Sequence, residues 1–132
     1  MARNIEPSRR IACLHGQMHK LTQFRVTQLL RRQEALRLEK EDLVQHLGEV
    51  VTSKHGDAGL INRRLRANAR ELAGVDEEIA RQSRLLSEHG MRMKRAELIA
   101  EQREAEMRAL DERRALGDII EAAVARQGAS LR

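Results

Sequence analysis

Seven positions spaced seven apart, Leu65, Leu72, Ile79, Leu86, Met93, Ala100 and Met107, are all apolar, and this column constrains the chain more than any other feature. A strand turns successive side chains to opposite faces and cannot hold such a column on one side. An α-helix paired with another helix returns to the same face every seven residues. The positions three further on, Asn68, Val75, Gln82, His89, Ala96, Arg103 and Leu110, are mixed, so one half of this seam is apolar and the other half is not. A shorter seam precedes it. Leu29, Leu36, Leu43 and Val50 are again seven apart, with Val26, Gln33, Lys40 and Leu47 three residues before each. Upstream, Ile11, Leu14, Met18 and Leu21 repeat the three-four spacing one residue out of phase. That offset predicts a bend or stutter near Arg25.

Between the seams, residues 52–59 read Thr-Ser-Lys-His-Gly-Asp-Ala-Gly, which joins cap formers to two glycines without apolar periodicity. This is the expected turn. Asp57 is placed to cap the following helix, and Gly56 to take the left-handed conformation after the first one. Asn4 or Ser8 would cap the first helix, with Pro7 in its opening turn. A connection this short makes the helices antiparallel. The expected architecture is therefore all-α, a single domain over residues 1–132: helix 8–51, turn 52–59, a longer helix 60–127 and a frayed C-terminus, the two helices forming an antiparallel coiled-coil hairpin. Gly90 offers a rival turn and a three-helix bundle. The apolar column passes through it in register, and a glycine inside a helix costs only about 1 kcal/mol relative to alanine, so the second helix is expected to continue. Acid-to-base pairs four apart (Glu77 and Arg81, Glu88 and Arg92, Glu104 and Arg108) reinforce the helical reading on the outer face.

Composition narrows the function classes. With no Trp or Tyr and only Phe24 as an aromatic residue, a thick globular core is excluded. The single proline leaves everything after Pro7 free to be helical. Cys13, the only cysteine, has no internal disulfide partner, and neither a secretion signal nor a membrane-spanning run is present, so a reducing cytoplasmic setting is expected, with any membrane contact peripheral. The net charge is +5, but acidic residues are interspersed throughout, which fits an ion-pair-laced helix surface. No phosphate loop, nucleophile and base pattern or paired cysteines occur. The chain reads as a non-enzyme without a cofactor.

Several residues stand out as contact candidates. Pairing outward from the turn sets residue 8 near residue 104, which leaves Leu110, Leu116, Ile119, Ile120 and Val124 without an intramolecular partner helix; this overhang is a candidate docking surface. Arg63, Arg64, Arg66 and Arg70, with Lys54 and His55, make the turn end basic, either as a contact for an acidic partner or as a solvated helix end. Phe24 is read as part of a seam contact or as an interface anchor. His15 and His19 share a face but lack the third and fourth ligands that zinc requires, so they are read as ordinary surface residues and no metal is expected. His89 is read as a polar residue that sets register. Nucleic acid is disfavoured, because no aromatic residue accompanies the basic cluster for base stacking.

The column Leu65 to Met107 on one arm, the series Leu29, Leu36, Leu43 and Val50 on the other, the interrupted middle and the longer second helix together resemble the flagellar export protein FliJ and its injectisome counterparts of the YscO type. The resemblance covers nearly the whole chain. It implies a small cytoplasmic stalk that enters the ring of the export ATPase and links it to the membrane-embedded export gate, with some members also handling export chaperones. Membrane association would then be indirect, through the gate. On this resemblance the paired helix ends with the overhang Leu110 to Val124 would enter the ring, and the basic face Arg63 to Arg70 would meet the gate. A shaft of this kind needs stiffness more than affinity, and solvated ion pairs worth about 0–1 kcal/mol would let it touch successive subunits without locking to one. The competing expectation, from another class, is a generic coiled-coil scaffold or chaperone-like protein that dimerises or binds a partner helix through the overhang.

Overall fold

The computed structural model describes residues 2–130, with side chains described over 7–130. It contains two helices, α1 (Ala2–Ser53) and α2 (Ala58–Ser130), which form an antiparallel hairpin with the second helix longer. Both extend beyond the expected bounds. In particular, α2 stays helical to Ser130, so the expected fraying from residue 128 does not occur there; residues 131 and 132 lie outside the described residues. α2 also runs through Gly90 without interruption.

The connection forms where expected, with one change of roles. Asp57 caps α2: its Oδ1 accepts from the Leu60 amide at 3.1 Å, and its carbonyl accepts from the Ile61 amide at 3.3 Å. The residue that leaves α1 in the left-handed region is Lys54, with φ of 57°, whereas Gly56 takes its positive φ of 105° two residues later. A methyl group at Gly56 would meet Val50 Cγ2 at 3.0 Å, so the glycine is required both by its backbone angle and by the close passage over Val50. At the other end, Pro7 lies within α1, and Ser8 is buried inside the helix where a cap had been expected. The side chain of Asn4, the alternative cap, lies outside the described residues.

The chain divides into two units, a turn unit spanning Gln17–Gly90 and a terminal unit made of Met1–Gly16 and Met91–Arg132. In the turn unit the apolar seams behave as the heptads require. Val26, Leu29, Leu43 and Leu47 are half-buried on α1, as are Leu65, Leu72, Val75, Ile79 and Leu86 on α2, while Val50 and Ile61 are buried near the connection. Leu36 is fully enclosed, at 0% exposure. Beside it, the buried Asn68 donates from Nδ2 to the Leu36 carbonyl at 2.9 Å, so a polar residue enters the seam with one partner, while its Oδ1 has none. Outside the seam, Arg32 pairs with Glu71, and from the half-buried seam position 33 Gln33 Nε2 donates to Asp76 Oδ1 at 2.5 Å.

The interior of the terminal unit is made of small and polar residues. Ala12, Ala96 and Ala100 are buried, Ser8 is buried, and Met93 and Met107 are half-buried. The Arg103 guanidinium donates from Nη1 to Ser8 Oγ at 2.8 Å, and Arg9 reaches Glu104 through two bonds of 2.5 and 2.7 Å. These contacts realise the expected pairing of residue 8 with residue 104.

The phase change expected near Arg25 is absent. α1 runs unbroken, and its buried or half-buried positions keep one three-four spacing: Ser8, Ala12, His15, His19, Thr22, Val26 and Leu29. The apolar series Ile11, Leu14, Met18 and Leu21 is instead exposed. The reason lies in the opposing residues. In the terminal unit, Ala96 and Ala100 leave room for Ala12 and Ser8, and bulkier side chains in that phase would force the helices apart. In the turn unit, Thr22 enters the seam by donating its hydroxyl to the Met18 carbonyl at 2.9 Å, which satisfies it locally.

Candidate interaction surfaces

Every overhang residue singled out from the sequence is exposed. Leu110, Leu116, Ile119, Ile120 and Val124 show between 43% and 65% of their surface. Ser8 and Arg9 meet Arg103 and Glu104, and α2 continues from there to Ser130. Leu116, Ile119, Ile120, Ala123 and Val124 recur at three-four spacing and share one face of α2. Continuing the intramolecular seam by sevens leads from Met107 to Arg114 and Glu121 and from Leu110 to Gly117 and Val124, so Leu116, Ile119, Ile120 and Ala123 lie on a different side of the helix from the seam toward α1, while Leu110 and Val124 stay at its edge.

The terminal unit carries a second apolar feature that the sequence pattern did not reveal. Ile11 on α1 and Ile99 on α2 flank an open groove of about 330 Å³, bordered by His15, Arg92, Arg95 and Arg103. Its origin is the phase outcome described above: Ile11 was expected in a seam and lies on the surface. The signal that could have found it is the coincidence of small residues on the opposing arm, at Ala96 and Ala100.

In the turn unit, Arg63, Arg64, Arg66 and Arg70 are all exposed, as are Lys54 and His55. Their field is partly balanced. Arg64 borders a groove together with Glu39, Asp42 and Glu71. Phe24 does not enter the seam; it is 60% exposed and lies beside Arg25, Gln28, Glu78 and Gln82 at the mouth of a shallow groove. The expected pair of Glu77 with Arg81 is replaced by Glu78 with Arg81 at 2.9 Å, one residue closer in sequence. Glu104 gives its carboxylate to Arg9.

The histidines depart from their expected role. His15 and His19 are half-buried seam residues and not surface residues, because the unbroken phase of α1 turns them inward. Gly90 passes close to His19: a methyl there would stand 3.4 Å from Cδ2 and Nε2 of the ring, in contact with it. His89 is buried in the seam, as expected of a polar register residue, and its Nδ1, like that of His15, has no hydrogen-bond partner. Among the described residues no group of three His, Cys, Asp or Glu side chains is arranged to hold a metal ion. Cys13 is exposed and not disulfide-bonded.

Electrostatic shifts are confined to the surface pairs. The hydrogen bond from Arg9 holds the Glu104 carboxyl below the usual carboxylate range, with the charges of Arg9 and Arg108 adding to it against partial desolvation. The Arg9 and Arg32 guanidiniums are raised by their bonds to Glu104 and Glu71. Among the described residues no helix is long and apolar enough to cross a membrane. No protein-family model, curated protein or solved structure matches the chain.

Proposed function

We propose that the chain is a non-enzymatic stalk or adaptor of a bacterial flagellar or type III protein export apparatus, acting in the cytoplasm and binding the export ATPase ring and the export gate. The observation that supports this reading best is the asymmetry of the hairpin: α2 outlasts α1 and exposes Leu110, Leu116, Ile119, Ile120 and Val124 there. An end of this kind offers apolar side chains to a ring lumen. The exposed Arg63, Arg66 and Arg70 in the turn unit offer charge to an acidic surface of the gate, and export chaperones would meet the remaining helix faces.

The test is binding of the full chain to the cognate export ATPase, with the hydrolysis rate of the ring as readout. Binding and a change in that rate are expected, with Leu116→Asp and Ile120→Asp together abolishing both. Absence of binding and of any rate response sinks the reading. In parallel, Arg63→Glu with Arg66→Glu is expected to weaken capture by the cytoplasmic part of the gate while leaving ATPase binding unchanged. A second reading, a coiled-coil scaffold that joins partner helices through the same end of α2, is favoured by the exposure of that apolar face in isolation.

A further inference from the structure

The last turns of α2 carry the pattern of a second helix-pairing seam. Leu116 and Ile120 alternate four apart, continue to Ala123, and are flanked by Ile119 on one side and Leu110 and Val124 on the other. All the large side chains among them are exposed. We propose that residues 110–127 pair with the same residues of a second copy of this chain, antiparallel, about a two-fold axis at Ile119.

The occupant follows from the charges. Glu112 and Arg126 lie seven residues to either side of Ile119, so they share its edge of the seam, the position from which side chains reach across to a partner helix. An antiparallel two-fold through Ile119 sets Glu112 of one copy opposite Arg126 of the other, and does so twice, because a two-fold interface repeats each contact. Both residues are exposed, and neither takes part in an intramolecular ion pair among the described residues.

The same register packs Leu116 against Ile120 of the second copy, Leu110 against its Val124, and Ile119 against Ile119. Gly117 falls beside Val124 of the second copy, where the missing side chain leaves room. Moving the register by one heptad in either direction sets Glu112 or Arg126 against Ile119 and Leu116 against Gln127 or Arg113. Of these three registers, only the first satisfies the apolar and the charged positions together. Between 112 and 127, Glu112, Asp118 and Glu121 balance Arg113, Arg114 and Arg126, so two copies meet without net repulsion.

This pairing covers the face that the stalk reading offers to the ring, so the two occupants exclude each other on one copy; the pairing itself needs no component but the chain. The interface is short, which places it with weak, concentration-dependent contacts. Sedimentation equilibrium of the full chain over a concentration series is expected to show a monomer-to-dimer transition that stops at two copies. Ile119→Glu, which brings two like charges together at the axis on an exposed position, is expected to weaken dimerisation at least about tenfold without changing helical content. Glu112→Arg alone and Arg126→Glu alone are each expected to weaken it, and the double variant Glu112→Arg/Arg126→Glu to restore it, because the pair is recreated with reversed sign. A chain that stays monomeric throughout the series, a dimer indifferent to Ile119→Glu, or a double variant no better than either single one overturns the proposal. None of these outcomes depends on binding to an export ATPase.

Discussion

The turn unit and the terminal unit pair the same two helices with different materials. Around Leu36 the turn unit encloses large aliphatic side chains, and its one deeply placed amide, Asn68, is bonded to a backbone carbonyl. The terminal unit encloses Ser8, Ala12, Ala96 and Ala100 and adds the Arg103 bond to Ser8 and the Arg9 pair with Glu104. The first arrangement draws its stability from apolar area, at roughly 25 cal/mol per Å² removed from water. The second draws it from close approach and polar bonds. The lesson is that a continuous heptad spacing does not imply a uniform interior. Where the seam is made of small residues, the large apolar ones are left to face outward.

Three experiments would sharpen or break this contrast. The largest effect is expected from Leu36→Ala, which removes the one fully enclosed large side chain and should cost about 2–5 kcal/mol in denaturant unfolding. Hydrogen exchange should then accelerate first in residues 26–50 and 61–86. If the amides of residues 8–15 and 93–107 lost protection to the same extent at once, the two units would be one cooperative structure and the contrast would be of composition only.

Next is Ala100→Leu, which overfills the terminal unit where exposure is 0% and should cost about 1–3 kcal/mol. A neutral or stabilising result would show that Ala100 leaves slack, and would undercut the account of why Ile11 and Leu14 stay outside.

The smallest effect belongs to the Arg9 and Glu104 pair. Because the folded carboxyl lies below its unfolded value, its contribution is fully present above the ordinary carboxylate range and is lost as pH falls through the depressed folded value. The melting temperature of Glu104→Gln should therefore lie slightly below that of the parent chain at neutral pH and converge with it in acid. A difference that persisted unchanged at low pH would assign the effect to packing and not to charge.

Much of the turn unit was legible in the sequence, because its seam residues announce themselves by size: Leu29, Leu36, Leu43 and Val50 against Leu65, Leu72, Ile79 and Leu86. The connection was legible for a different reason, since Asp57 and Gly56 carry specific backbone chemistry. Lys54 was not, because nothing in a lysine signals a left-handed residue, and the position is imposed by where α1 must stop. Around residues 8–24 the reading failed on hydrophobicity itself. Ile11, Leu14, Met18 and Leu21 present the stronger apolar pattern, yet fit is decided jointly with the other arm, where the buried Ala96 and Ala100 share the interior with Ser8 and Ala12. His15 and His19 were misplaced by the same error. The overhang residues were legible because they follow from counting outward from the turn, which requires no knowledge of side-chain fit. That Leu116, Ile119 and Ile120 face a side other than the seam toward α1, while Leu110 and Val124 stay at its edge, emerges from extending both halves of the heptad past Met107 and Leu110.

The acceptor that Asn68 uses has a consequence for what can vary across the seam. Its Nδ2 donates to the backbone carbonyl of Leu36, a group every residue carries, so the bond is indifferent to the side chain at position 36. What restricts that position is the space around it alone, since the leucine is enclosed on all sides.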